Sequence, residues 1–157
     1  MIQESSRLQT EECQTIYSNV SSANLSDANL SDTNLYRAIF FRANLNNAKL
    51  TDANLNDAYL VMAQLMGANL MKASLREANL QRANLSNANL SNADLVKSKL
   101  VDANLTNAIL KSARLVDINM SGANLMGADI SGAEMRKNKL CRVTMPDGTK
   151  TEEGCDQ

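Results

Sequence analysis

The sequence predicts an all-β solenoid, in which short straight segments alternate with corners and wind into stacked coils. Three observations carry that reading. The first is a strict repeat. From Ser21 to Leu140 the chain runs through 24 consecutive pentads, with Leu in the fifth slot of 20 and Ala in the third slot of 20. The exceptions are Phe40, Met120, Ile130 and Met135 in the fifth slot, and Thr33, Ser98, Ile118 and Asn138 in the third. A period of five matches neither a helix, which repeats at about 3.6 residues, nor a strand, which repeats at about 2. Within a pentad, however, Ala and Leu flank one residue, usually Asn, as in a very short strand. They face one way and that residue faces the other. The remaining two positions are rich in Ser, Asn, Asp and Gly, which suit a corner.

The second observation is where charge is absent. Residues 21–140 hold 23 charged side chains, and none occupies an Ala or Leu slot. A random scatter would place about nine there, and burying an unpaired charge is very costly. The third is size. Leu fills an axis and Ala leaves it room, each buried Leu contributing about 1.5–3 kcal/mol of transfer free energy. Ordering the backbone costs about 1–2 kcal/mol per residue, so coil must also bond to coil.

Three segments follow in order. Residues 1–20 break the period. Cys13, Ile16, Tyr17 and Val20 fall at helical spacing, and Ser6-x-x-Gln9 is a weak capping-box match. A short N-terminal helix is expected there as a cap, because an open coil end leaves unpaired N–H and C=O groups. Residues 21–140 form the regular coils. Residues 141–157 hold a partial last coil, through Val143 and Met145, then a type I turn with Pro146 second and Gly148 fourth, then an acidic tail. The tail is expected to be mobile unless Cys155 tethers it.

Runs such as Ala43-Asn44-Leu45, Ala53-Asn54-Leu55, Ala83-Asn84-Leu85 and Ala93-Asp94-Leu95 resemble the A(D/N)LXX signature of the pentapeptide-repeat family. The likeness covers residues 21–140, and Met145-Pro146-Asp147-Gly148-Thr149 resembles a common ending of cyanobacterial members. The resemblance implies a right-handed, quadrilateral β-helix with one pentad per side, hence six regular coils of 20 residues over residues 21–140. At the sheet spacing such a rod is about 29 Å long. Half of the outward middle slots are Asn, from Asn24 to Asn124, and stacking at this spacing predicts amide ladders.

Composition narrows the function. The net charge is −1, which favours neither nucleic acid nor a membrane surface as partner. No apolar run approaches the ~20 residues of a membrane span, and no basic-apolar leader precedes the repeats. A cytoplasmic site is expected, with periplasm or thylakoid lumen the alternatives for a processed chain. There is no His, the usual general base and metal ligand. The inward slots leave a packed axis without a cavity, so no enzyme activity, cofactor or metal is expected. Of the three Cys, Cys13 belongs to the opposite end from Cys141 and Cys155. A disulfide needs Cα atoms within about 7 Å. Two readings stay open for Cys141 and Cys155: a bridge that clips the tail onto the last coil, or independent thiols.

Some family members mimic B-DNA and bind DNA gyrase. That mimicry needs a continuous acidic surface, since the duplex carries a charge every ~1.7 Å. The repeat segment instead has 13 Lys and Arg against 10 Asp and Glu. The apolar outward residues Tyr36, Ile39, Phe41, Tyr59, Val61 and Met62 all map to one side or its leading corner in the first two coils. Met66 and Met71 extend that zone. A contiguous patch marks a contact surface, or a surface that the N-terminal segment covers. The leading expectation is a non-enzymatic scaffold for an unknown protein partner, as a monomer or weak homodimer. A gyrase-directed mimic and a structural or self-associating rod are the alternatives.

Overall fold

The computed structural model describes residues 18–155. Successive fourth-slot residues pair in parallel with the residue 20 positions on, from Asn19 with Ile39 to Asn124 with Thr144. Four pentads thus complete one circuit, and the chain stacks on itself in register.

One hydrogen-bonding plan recurs. The fourth-slot N–H donates to the third-slot carbonyl of the preceding coil (Asn44 to Ala23, 2.9 Å). The fifth-slot N–H donates to the fourth-slot carbonyl of the next (Leu25 to Asn44, 2.7 Å), and the second-slot N–H to the first-slot carbonyl of the next (Asp27 to Asn46, 2.9 Å). The third-slot N–H closes the corner onto the preceding fifth-slot carbonyl (Ala28 to Leu25, 3.2 Å).

That plan leaves the first-slot N–H without a backbone acceptor, and a buried or half-buried donor needs one. The fourth-slot Asn supplies it. Its Oδ1 accepts the N–H two residues on, at Asn44 to Asn46 (3.1 Å), Asn69 to Met71 (3.2 Å) and Asn89 to Ser91 (3.0 Å). The expected amide ladder is the lesser part of what Asn does. Coil-to-coil amide bonds join Asn44 to Asn24 (3.0 Å), Asn54 to Asn34 (3.0 Å) and Asn104 to Asn84 (3.2 Å).

Each corner places its second-slot residue at positive φ, from Ser22 at 57° to Arg142 at 54°, the geometry that the third residue of a type II turn requires. No Val, Ile or Thr stands in that slot anywhere from residue 22 to 142, since β-branching makes this conformation a true outlier. The Leu and Ala columns form one continuous core, with Phe40 fully buried.

The pattern yields at two stacked corners, after Leu115 and after Met135. Ile118 and Asn138 occupy third slots of one side in neighbouring coils, where Ala is usual, and the corner after Leu115 opens beside them. The Asn138 carboxamide fills the opening: its Oδ1 accepts the Ile118 N–H (3.1 Å) and its Nδ2 donates to the Leu115 carbonyl (2.7 Å). The freed backbone extends into strand β1 (Arg114–Val116), which pairs in parallel with β2 (Glu134–Arg136), Leu115 opposite Met135.

The two ends stand differently against the sequence expectation. The expected capping helix falls largely on residues 1–17, outside the described residues. Its last apolar position, Val20, sits in the first coil: the Val20 N–H donates to Ile39 (2.9 Å), and the Ile39 N–H to Ser18 (2.8 Å). The coil therefore starts before Ser21, because Ser18-Asn19-Val20 is a variant of Ala-Asn-Leu with Val in the axial slot. At the other end, Met145–Gly148 forms the expected turn (Gly148 N–H to Met145, 2.9 Å), and Gly148 at φ 85° lets Lys150 pair antiparallel with Thr144. The tail is thus placed over the last coil. Cys141 and Cys155 come together there, with Cα atoms 4.7 Å apart and sulfurs in disulfide geometry.

Candidate protein-contact site

Coil register builds the site. Ile39 and Tyr59 are 20 residues apart in fourth slots, so their backbones pair in parallel and their side chains stand side by side. Phe40 points inward and is fully buried, so Phe41, one residue on, turns the corner outward. Its ring meets that of Tyr59 at 6.2 Å between centroids, tilted by 39°. Tyr59 is 41% exposed, a high value for so large an apolar side chain. Ile39, Phe41, Val61 and Met62 are half-buried, and Tyr36, which opens the same pentad as Ile39, is half-buried too.

Arginines frame this surface. The Arg37 guanidinium lies 5.0 Å from the Tyr36 ring centre, and that of Arg42 lies 5.1 Å from the Phe41 ring centre. Such stacking places charge at the edge of an apolar surface. Beyond Val61 and Met62 the surface dips into a groove of about 300 Å3, lined further by Gln81, Arg82, Val101 and Asp102. Arg82 and Asp102 pair across its rim at 3.6 Å.

All six expected residues therefore lie on one side and its corner. Val101 and Gln81 escaped notice in the sequence, although the signal was present. Residues 41, 61, 81 and 101 share the first slot at 20-residue spacing and must form one column. Met66 (43% exposed) continues the apolar surface onto the next corner. Ile109 (41%) and Met126 (49%) are exposed nearer the other end, where no expectation had placed them.

Elsewhere the outer surface carries several ion pairs. Asp94 accepts from Arg76 (3.0 Å) and Arg114 (2.8 Å), and Glu134 faces both Arg114 (3.5 Å) and Arg136 (2.5 Å). Arg37 with Asp57 (3.9 Å) and Lys97 with Glu77 (4.0 Å) continue it. Two further carboxyls are held below their ordinary value, chiefly by hydrogen bonds from the residue two positions on, Asp129 by Ser131 and Asp147 by Thr149. Among the described residues, no cluster of three or more His, Cys, Asp or Glu is arranged to hold a metal ion. No described helix is long and apolar enough to cross a membrane.

The family pattern for pentapeptide repeats matches eight copies here, over residues 18–57, 40–70, 48–87, 73–111 and 103–137. The chain belongs to the pentapeptide-repeat family. Proteins of this family form right-handed β-helices and are in general structural or interaction proteins. Among solved structures, the chain is similar to HetL, a pentapeptide-repeat protein involved in heterocyst differentiation regulation from the cyanobacterium Nostoc sp. strain PCC 7120. They share 32% identity over 85% of this chain and 74% of HetL, with a TM-score of 0.49. It is also similar to Rfr23 from the cyanobacterium Cyanothece 51142, at 31% identity over 77% of this chain and 86% of that one, with a TM-score of 0.38. A trypsin-treated form of QnrB1, a plasmid-mediated fluoroquinolone resistance protein, matches at 23% identity with a TM-score of 0.65. That match covers 73% of this chain and 59% of QnrB1, and shows likeness of fold alone. No curated protein matches the chain.

Proposed function

We propose that this pentapeptide-repeat protein is a non-enzymatic scaffold, presenting the corner around Phe41 and Tyr59 to a protein partner in a regulatory setting. The observation that carries this reading is the continuous apolar surface of Ile39, Phe41, Tyr59, Val61 and Met62 beside an open groove, with Ile109 and Met126 exposed nearer the other end. Exposed apolar surface of this kind is costly to keep solvated and is used for contacts. The role in differentiation regulation named for HetL supports the regulatory part by similarity. Six coils and a capped N-terminal end belong to the same reading.

The test is Phe41→Ser and Tyr59→Ser, singly and together, in the full chain. Thermal stability within a few degrees of the parent, with loss of one protein otherwise captured from the native host, is the expected result. Loss of stability without loss of capture would assign the patch to the fold itself. Light scattering of the same variants separates a partner contact from self-association.

A second reading, a gyrase-directed DNA mimic, draws on the fold likeness to QnrB1. The charges oppose it: the repeats carry a net positive balance, and Asp94 and Glu134 are each bound to two arginines. Gyrase supercoiling is expected to be unchanged by added protein. Potent inhibition would reverse the order of the two readings.

A further inference from the structure

Among the described residues the last coil ends at Met145, and the tail after it lies along that coil's edge. The tail takes that place with very few groups. Thr151 accepts the Arg142 N–H at its carbonyl (2.8 Å) and donates its own N–H to Val143 (2.9 Å). Its hydroxyl donates to the Leu140 carbonyl and accepts the Val143 N–H (3.2 Å). Thr149 accepts the Met145 N–H (2.7 Å). The tail then doubles back, so that a Cβ at Gly154 would lie 3.6 Å from Leu140 and Lys139.

From Asp147 to Gly154 the tail has no aliphatic or aromatic side chain larger than Thr to anchor it. A lone short antiparallel pairing of this kind is at best marginal in water. The one firm tie within reach is Cys141 to Cys155, closing a loop of sequence separation 14. Cys141 is 8% exposed, in the first slot of the final corner, while Cys155 is half-exposed at the tail's end. The covalent link and the edge-covering strand are therefore one device: the bond holds Thr151 at the backbone groups that it satisfies.

We infer that the Cys141–Cys155 bond is a redox latch on the C-terminal cap. Oxidised, it holds the tail as the strand that seals the last coil. A dithiol reductant opens it in two steps. One thiolate attacks Cys155 Sγ, releasing Cys141 as a thiolate and forming a mixed disulfide. The second thiol then displaces Cys155, so the protein gains two electrons and two protons and the reductant becomes a cyclic disulfide. The tail then leaves, and the N–H of Arg142 and the C=O of Val143 become an open β edge of the kind that invites edge-to-edge pairing.

The experiment uses the full chain carrying Cys13→Ser, which removes the third thiol. Thiol titration after mild oxidation with glutathione disulfide is followed by amide exchange before and after dithiothreitol. The expected result is no free thiol when oxidised and two when reduced. Exchange at Arg142 and Thr151 should rise by about tenfold or more on reduction, as for a locally opening unit. Leu85 and Leu105 should keep their protection. Adding Cys155→Ser should reproduce the reduced pattern with or without dithiothreitol. Two free thiols after oxidation, or equal protection of Arg142 and Thr151 in both states, would overturn the inference.

Discussion

The repeated Asn answers a specific shortage. A regular pentad satisfies four N–H groups through the backbone, and where the fourth slot is Asn its Oδ1 can take the fifth, as between Asn84 and Ser86 (3.2 Å) or Asn104 and Thr106 (3.1 Å). The corner residue has the opposite problem, a conformation that side chains disfavour. Lys72 stands at φ 59° outside the ion pairs described above. Lys72→Gly is expected to be neutral or stabilising, because Lys72 already bears the cost of about 1–2 kcal/mol for left-handed backbone with a Cβ, and Lys72→Val to destabilise, because β-branching makes that conformation an outlier. Urea unfolding of the pair checks both signs. Asp147 gives a prediction in pH. Its carboxylate accepts the Thr149 hydroxyl (2.7 Å) and N–H (2.9 Å), which lowers its pKa from 3.8. A depressed carboxyl contributes fully above its unfolded value and loses that contribution as pH falls through the folded one. Protection of the Thr149 amide should therefore persist down to about the ordinary Asp range and fall only below it. In Asp147→Ala the protection should be low at every pH.

At the scale of the element, the widened corner after Leu115 is held by one side chain from the next coil. Asn138 bonds both Leu115 and Ile118, replacing the corner bond that regular pentads make within the backbone. Asn138→Ala restores the repeat's usual residue, yet it is expected to destabilise by about 1–3 kcal/mol, because it strands two partly buried backbone groups. Asn138→Asp should do the same, since it keeps the acceptor for Ile118 and loses the donor to Leu115. Chemical denaturation measures both, and a stabilised Asn138→Ala would mean that the corner closes by itself. This is also where sequence reading reached its limit. Ile118 and Asn138 are visible as exceptions in the third slot, but nothing in the order of residues shows that the second fills the gap made beside the first.

For the whole molecule, stacking in a single direction makes stability a sum over neighbouring coils. Deleting residues 81–100 joins Leu80 to Val101, removes one circuit and leaves every column in phase. The shortened protein is expected to keep its β signal in circular dichroism and a cooperative melt, at a lower Tm. Loss of all structure would show that the coils are not interchangeable. The same regularity explains how much was legible beforehand. The inside and outside of residues 21–140, the inward Phe40 and outward Phe41, and the apolar corner with Tyr59 all follow from slot number. Val101 also follows from slot number, once four pentads are known to make a circuit, and so completes the groove.

The sequence by itself determined which face of each residue is buried, because a period of five with charge excluded from two slots admits one sidedness. The 20-residue register was implied by the family resemblance, and tertiary structure alone decided what else depends on a neighbour a circuit away: the carboxamide in the open corner, Ser18–Val20 joining the first coil, and the tail brought to Cys141. The physical reason is distance in the chain. Alternation and corner chemistry act over five residues and are written there, whereas contacts between coils exist only after the chain has come round to meet itself.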